Sequence, residues 1–185
     1  MTRAALRGWK FALAAAFVGC AAFVCTLAAG LYLNGPKLPS FDEIRASHRL
    51  SDAVLIDRHG SVIHELRVDP TGRRLDWVAL ADISPALTRA VVAAEDRRFR
   101  DHGGVDWVAL AASTLRHVAS GGSRGASTIS MQLAARLDAA ATPRGPRRTW
   151  SEKLRQVSAA LALERSWSKD EILEAYLNLI TFRGE

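Results

Sequence analysis

The sequence predicts a mainly α-helical protein with a small β-hairpin and one transmembrane helix near the N-terminus. Three observations lead to this fold class: a long uncharged run at Phe11–Leu33, a β-rich pair of segments within 54–68, and helical apolar spacing from Ser84 onward. The chain has 185 residues, of which 49% are hydrophobic and 24% charged. That length and composition suit one domain with its own core.

The uncharged run Phe11–Leu33 predicts the transmembrane helix. At about 1.5 Å per residue it reaches roughly 35 Å, enough to cross a hydrocarbon core of ~30 Å. Three basic residues precede it, Arg3, Arg7 and Lys10. The positive-inside rule therefore makes residues 1–10 a cytoplasmic tail and places the rest of the chain outside. A cleaved signal peptide is the alternative, but the run is long for one and lacks a small-residue cleavage site.

The charge and the cysteines narrow the partner classes. The formal net charge is +6, which suits nucleic acid, an anionic membrane or a phosphate-bearing substrate. The sequence has no zinc-type Cys/His spacing and no nucleic-acid-binding signature, and the transmembrane run favours lipid phosphate. Both cysteines, Cys20 and Cys25, fall within that run, so no disulfide is expected in the exported part.

Residues 34–50 predict a linker, and residues 51–83 a hairpin with the segment that leads into the helices. The hairpin strands are predicted at Val54–Asp57 and Val62–Val68, with Gly60 in the turn between them. Alternating β-branched residues around a short Gly-containing turn are typical of such a pair.

From Ser84 the pattern is helical, with Ser84 as N-cap and proline at the first helical position. Two further helix starts carry a capping box, in which a Ser or Thr is followed three residues later by Glu. These are Thr149 with Glu152 and Ser168 with Glu171. The predicted helices span 85–96, 105–119, 127–140, 149–166 and 169–180.

The candidate catalytic group is Glu95, at the point where the first of these helices gives way to a Gly-containing loop. A carboxylate at such a helix end can project into a cleft and act as a general base. The alternative is a surface carboxylate that pairs with a neighbouring arginine. Three arginines lie close enough in sequence, namely Arg97, Arg98 and Arg100.

A candidate anion site lies at residues 124–132, read as R-G-A-S-T-I-S-M-Q. Ser127 and Thr128 begin a helix whose unpaired N–H groups and dipole attract anions, and Arg124 adds a cation. Together they would form a pyrophosphate cradle. By itself a Gly-Ser loop that opens a helix is more often only an N-cap.

Residues 95–106 resemble the first motif of the peptidoglycan glycosyltransferases (glycosyltransferase family 51), the polymerase module of class A penicillin-binding proteins. That motif reads E-D-x-x-F-x-x-H-x-G-x-D, and all of its positions match: Glu95, Asp96, Phe99, His102, Gly104 and Asp106. The second stretch is similar to the family's G-G-S-T-I-T-Q-Q, with matches at Gly125, Ser127, Thr128 and Gln132. Met131 departs from it in a way that resembles the penicillin-binding protein 1C type.

The third motif departs from the family pattern R-K-x-x-E. Counting back from Ser168-Lys169 places Gln156 at the second family carboxylate, Lys153 at the lysine and Glu152 at the arginine. Glu152 is a second candidate for that carboxylate, but it is also the third residue of a capping box. Which of the two, Gln156 or Glu152, takes the place of the second carboxylate remains open, since they lie one turn apart on a shared helix face.

The fourth stretch, residues 168–178, resembles the family's K-x-x-I-L-E-x-Y-L-N. It also has the pattern of an amphipathic helix, whose core residues would be Ile172, Leu173, Tyr176 and Leu177. The resemblance covers about residues 50–185 and carries four motifs in order. It implies an incomplete lysozyme-like glycosyltransferase lobe over 84–185, because the family's remaining lobe and its transpeptidase are not found in this sequence.

The resemblance also implies a reaction: lipid II, an undecaprenyl-pyrophosphate disaccharide-peptide, is polymerised into glycan strands with inversion. Glu95 would be the general base. The basic side chains and the helix start would stabilise the departing pyrophosphate. Substrate contacts are implied for Asp96, Phe99, His102, Arg124, Ser127, Thr128, Gln132, Lys153 and Arg155.

Structural roles are implied for Gly104, Asp106, Glu174 and Asn178. No cofactor is required with certainty; a divalent cation, Mg²⁺ or Mn²⁺, is the candidate, with Asp96 as its ligand. Expected partners are lipid II, the growing glycan strand, the membrane and other cell-wall synthesis proteins, with no nucleic acid. The expected location is the bacterial inner membrane, with a single pass, the N-terminus inside and the catalytic part in the periplasm.

Two other classes of function remain open. A lytic glycan-cleaving enzyme would also use one catalytic glutamate in an α-rich fold, but would have no use for a pyrophosphate cradle. A truncated, inactive scaffold that binds cell-wall synthesis partners is the non-enzymatic alternative, and the ending of the chain soon after the fourth motif favours it.

Overall fold

The computed structural model describes residues 18–19, 22, 26, 29–69, 74–120, 127–138 and 149–180, without the side chains of 114–120. Within these residues the chain is mainly helical and has one two-stranded antiparallel hairpin, as predicted. The helices are α1 (Phe41–Ser47), α2 (Pro85–Glu95), α3 (Trp107–Ser120), α4 (Ile129–Leu137), α5 (Trp150–Ser166) and α6 (Lys169–Leu179). The strands are β1 (Asp52–Ile56) and β2 (Val62–Arg67), and short 3-10 helices span Leu80–Asp82 and Phe99–Asp101.

The helix starts follow from their capping residues. The Thr149 and Ser168 capping boxes both form, and the Ser84 hydroxyl accepts a hydrogen bond from the Ala86 N–H. Two starts were predicted two residues too early, at 105 and 127, and one was predicted one residue too early, at 149. Asp106 accepts a bond from the Ala109 N–H at 2.9 Å, and Thr128 accepts one from Met131 at 3.1 Å. Both residues therefore cap their helices from outside, and α3 and α4 begin at the residue that follows each cap.

The hairpin forms close to its predicted position, with Asp52 opposite Arg67 and Val54 opposite Glu65. The Asp57 carboxylate accepts bonds from the His59 and Ser61 N–H groups, each at 2.8 Å, and closes the turn. The side chains of β1 and β2 are exposed with the exception of the half-buried Asp52. The hairpin therefore stands beside the core rather than within it.

Helix α1 lies within residues 34–50, the stretch predicted to be a linker, where the sequence had indicated no helix. Ser40 and Glu43 form a capping box at its start. Phe41 packs edge-on against Trp77 and Trp167, with ring centroids 6.0 and 5.4 Å apart. These aromatic contacts, together with the packing of Ile44 against the core, stabilise the short helix.

The core is built mainly by α4, α5 and α6, together with side chains from the loop between α2 and α3. Phe99 and Val105 of that loop are buried. Gly104 adopts φ 97°, and a Cβ at this position would lie 2.8 Å from the Ala160 carbonyl oxygen of α5. The loop can lie this close to α5 because the residue is glycine.

Most of the predicted transmembrane run lies outside the described residues. Among the described residues, no helix has the length and apolar character needed to cross a membrane. Residues 29–33 are helical and pack against α5. Ser158 donates to the Leu31 carbonyl at 3.0 Å, and the Arg165 guanidinium lies 4.4 Å from the centre of the Tyr32 ring.

Candidate active site

Glu95 is the last residue of α2, and its side chain is exposed. Its Oε2 accepts a hydrogen bond from Gln132 Nε2 at 3.0 Å. Gln132 lies in the first turn of α4, and its Oε1 accepts a bond from the Tyr176 hydroxyl of α6 at 3.2 Å. Burial raises the pKa of Tyr176 to about 12, and the negative charge of Glu95 adds to the shift. Glu95, Gln132 and Tyr176 therefore form a hydrogen-bonded chain across three helices, which orients the carboxylate.

The adjacent carboxylate, Asp96, is in a different environment because it is buried. Its oxygens lie 3.0 and 3.1 Å from His102 Nε2, and Oδ2 also accepts from the Ile129 N–H at 3.1 Å. Ile129 is the first residue of α4, where backbone N–H groups lack helical partners. Asp96 thus ties the first motif to the start of the helix of the second motif.

Thr128 makes a second link between the two motifs. Its hydroxyl donates to the Gly104 carbonyl at 2.6 Å while it caps α4. Ser127, immediately before it, accepts from Lys153 Nζ at 3.0 Å. The Lys153 ammonium is therefore placed next to the N-terminal end of α4, where the helix dipole also favours anions.

The structure distinguishes the two residues that the sequence left open. Gln156 is 2% exposed; it donates to the Met131 carbonyl at 3.0 Å and accepts from Lys153 at 3.3 Å. Glu152 closes the capping box with Thr149, whose N–H it accepts at 2.8 Å. Gln156 is thus in contact with the lysine at the α4 start, whereas Glu152 caps the start of α5.

Arg155 does not join this group in the structure. It is half-exposed and pairs with Asp138 at the end of α4, at 2.9 Å. Arg124 and Gly125 lie outside the described residues.

A partly buried ion pair that the sequence reasoning missed lies behind the first motif. Lys169 Nζ donates to the His102 carbonyl at 2.6 Å and to Glu164 at 2.7 Å, and lies 4.4 Å from the centre of the Phe99 ring. Ser130 donates to the same Glu164 oxygen at 2.5 Å. From the sequence, Lys169 was assigned to the fourth motif and set the register of the third, without a partner, and Glu164 has no local sequence signal.

Glu174 and Asn178 hold the segment before α2 against α6. Glu174 accepts from Trp77 Nε1 at 2.7 Å and from the Leu80 N–H at 2.8 Å. The Asn178 amide bonds both backbone groups of Val78, at 2.8 and 2.9 Å. These contacts stabilise the fold by joining two segments that are far apart in the sequence, residues 77–80 and α6.

Asp96 is poorly suited to bind the divalent cation that the resemblance allowed. Both its oxygens already face the His102 ring nitrogen, and one also accepts the Ile129 N–H. Among the described residues, no three or more His, Cys, Asp or Glu side chains form a group that could hold a metal ion.

Comparison with known proteins agrees with the motif assignment. The family model described as Transglycosylase matches residues 59–185. A biosynthetic peptidoglycan transglycosylase of Rhodospirillum centenum is 42% identical over 122 residues, which is 65% of this chain and 51% of that protein. The one from Mannheimia succiniciproducens is 42% identical over 107 residues, 58% of this chain and 42% of the relative.

A longer alignment is found with penicillin-binding protein 2D of Bacillus subtilis, which is 32% identical over 168 residues, 90% of this chain and 23% of that protein. The chain thus spans about half or less of the length of these relatives. Likeness to the penicillin-binding protein 1C type stays a prediction. The family model covers more than half of the chain, and the chain therefore belongs to the transglycosylase family.

Proposed function

We propose that the chain carries the lipid II-polymerising site of a peptidoglycan glycosyltransferase, with Glu95 as general base. The observation that carries this proposal is the start of α4, where two chemically different groups meet. Gln132 of its first turn holds the Glu95 carboxylate, and Ser127 just before it accepts a hydrogen bond from Lys153. One helix start therefore connects a base to an anion-binding cation.

The reaction needs both groups. The 4-hydroxyl of one sugar attacks the anomeric carbon of another, and its proton passes to Glu95 as the new C–O bond forms. The bond from that carbon to the pyrophosphate breaks at the same time, so the configuration inverts. Positioned proton transfer contributes roughly 10²–10⁴-fold to the rate of such reactions.

The leaving pyrophosphate would sit against Lys153, Ser127 and the N-terminus of α4. Donors and cations aimed at developing negative charge are often the largest single contribution to catalysis. Gln156, bonded to Lys153, occupies the position of the second family carboxylate in this proposal. Its amide orients the lysine without the negative charge that a glutamate would bring.

The location proposed is the inner membrane, with Phe11–Leu33 as anchor, the N-terminus in the cytoplasm and the site in the periplasm. The support comes from the uncharged run and the basic residues before it. It also comes from the attachment of Leu31 and Tyr32 to α5. A substrate with a lipid tail would then meet the site at the membrane surface.

The test is a gel assay of fluorescent lipid II with the chain in detergent, beside its Glu95→Gln variant. Polymer from the wild type alone is the expected result. Glu65→Gln, an exposed glutamate in β2, is the matched control and should polymerise like the wild type. Polymer from Glu95→Gln would overturn the role of Glu95.

The same samples separate the alternatives. Release of anhydro-sugar products from finished peptidoglycan would indicate a lytic enzyme instead. Neither polymer nor release would indicate that this length of chain is inactive and serves at most as a scaffold.

A further inference from the structure

We propose that Tyr176 is a positioning residue for the general base, acting on Glu95 through the Gln132 amide. This inference rests on the proposed function, because it concerns the same carboxylate. From the sequence, Tyr176 was assigned only to the apolar core of α6. The structure adds a polar contact, made by the hydroxyl group at the tip of the buried Tyr176 ring.

The geometry fixes which way the Gln132 amide faces. The Tyr176 side chain is 1% exposed, so its hydroxyl must find a partner within the protein. It donates to Gln132 Oε1 at 3.2 Å, which turns Nε2 toward Glu95 Oε2 at 3.0 Å. If the amide flipped, its oxygen would face the carboxylate and two acceptors would repel each other.

The phenol also suits this role because it remains neutral. Its pKa of about 12 keeps the hydroxyl proton in place at any pH at which cell-wall enzymes work. A phenolate would accept rather than donate a hydrogen bond, and the amide would lose its preferred direction. Tyr176 is therefore a donor that does not compete with Glu95 for the proton of the substrate.

The arrangement divides the two oxygens of Glu95. Oε2 is held by Gln132, whereas Oε1 has no hydrogen bond to the described residues. The proton of the attacking hydroxyl would therefore pass to Oε1. Loss of the Tyr176 hydroxyl should let the amide rotate and so leave the carboxylate less well oriented.

The experiment compares Tyr176→Phe with Tyr32→Phe, the same chemical change at the other tyrosine. In ¹⁵N–¹H spectra of the chain in detergent at one fixed pH, we expect the Gln132 side-chain amide signals to shift between the wild type and Glu95→Gln, because the amide donates to the carboxylate. That shift should shrink by at least half when the Glu95→Gln substitution is made in the Tyr176→Phe background. Tyr32→Phe should retain it.

This readout needs no catalysis, so it decides on Tyr176 even if the chain polymerises nothing. An amide shift in Tyr176→Phe equal to that of the wild type would overturn the proposal. So would a wild-type amide signal that is insensitive to Glu95→Gln. Far-UV circular dichroism of each variant establishes that the fold is kept.

Where polymerisation is measurable, Tyr176→Phe should lower kcat about fivefold and leave KM unchanged, the effect of losing roughly one hydrogen bond. Gln132→Leu removes the connecting amide and should make the tyrosine substitution neutral. A fivefold loss from Tyr176→Phe that persists in the Gln132→Leu background would show a purely structural role and overturn the proposal.

Discussion

The loop from Glu95 to Asp106 and the hairpin β1–β2 are both short connections, yet they are held in different ways. The loop buries Asp96, Phe99 and Val105, and its polar groups bond residues of α4 and α6. The backbone hydrogen bonds of the hairpin are mainly those between its own two strands, and next to it Ser51 hydrogen-bonds to Arg74. Its apolar side chains, such as Ile63, are exposed.

The difference teaches where the geometry of the candidate site comes from. The loop from Glu95 to Asp106 has the shape that three helices, α4, α5 and α6, impose on it, whereas the shape of the hairpin comes from its own turn and ladder. Substitutions should therefore have large effects in the loop and small effects in the hairpin. This contrast can be tested by the effect of single substitutions on stability.

The largest effect is expected for Gly104→Ala. The residue has φ 97°, and the added Cβ would meet the Ala160 carbonyl oxygen at 2.8 Å. Strain and the backbone clash should lower the free energy of unfolding by about 3 kcal/mol. Urea denaturation followed by circular dichroism measures it. Gly103→Ala, where a Cβ meets nothing within 4 Å, should change stability by less than about 1 kcal/mol.

Asp96→Asn should have the second largest effect on stability. The substitution removes the charge that accepts from Ile129 and faces His102, and an asparagine cannot offer two acceptor oxygens. We expect a loss of about 2 kcal/mol in the free energy of unfolding. The exposed Asp101, in the same loop, provides the control Asp101→Asn. Equal effects of the two substitutions would contradict the buried role of Asp96.

At alkaline pH, the buried Tyr176 hydroxyl should make the stability of the protein depend on pH. The folded pKa of Tyr176, about 12, lies above its ordinary value of 10.0. The unfolded chain therefore loses this proton first, so the stabilisation is complete below pH 10 and is lost between about pH 10 and pH 12. Unfolding midpoints in urea should fall more steeply over this range in Tyr32→Phe than in Tyr176→Phe. Equal slopes would argue against a buried phenol.

The smallest effect is expected in the hairpin, from a matched pair of isoleucine substitutions. Ile63→Val removes a methyl group from a side chain that is 61% exposed, and should change stability by less than about 0.5 kcal/mol. Ile172→Val makes the same change in the fully buried core of α6 and should cost about 1 kcal/mol. If the hairpin substitution cost as much as the core one, the contrast between the two regions would fail.

The sequence predicted the local elements well because their signals are local. The capping boxes at Thr149 and Ser168 set helix starts through contacts within three residues. The Gly60 turn placed the hairpin in the same way. The short helix Phe41–Ser47 was missed although Ser40 and Glu43 carry the same box, since its stability comes from the distant rings of Trp77 and Trp167.

The candidate site was predictable as a set of residues and not as an arrangement. Resemblance identified Glu95 and Gln132, but the hydroxyl that completes their hydrogen-bond chain lies 44 positions beyond Gln132. Position alone could not separate Gln156 from Glu152, which share a helix face. Packing separates them, because one is buried beside Met131 and the other caps the helix.

The bond from Asp96 to the first N–H of α4 has a consequence for how the protein folds. It joins residues 33 positions apart, so it can form only after α2 and α4 have docked. Glu95, the preceding residue, acquires its orientation at the same moment. If Glu95 is the base, as proposed, a partly folded chain carries the glutamate without its activity, and catalytic competence appears together with these long-range contacts rather than gradually.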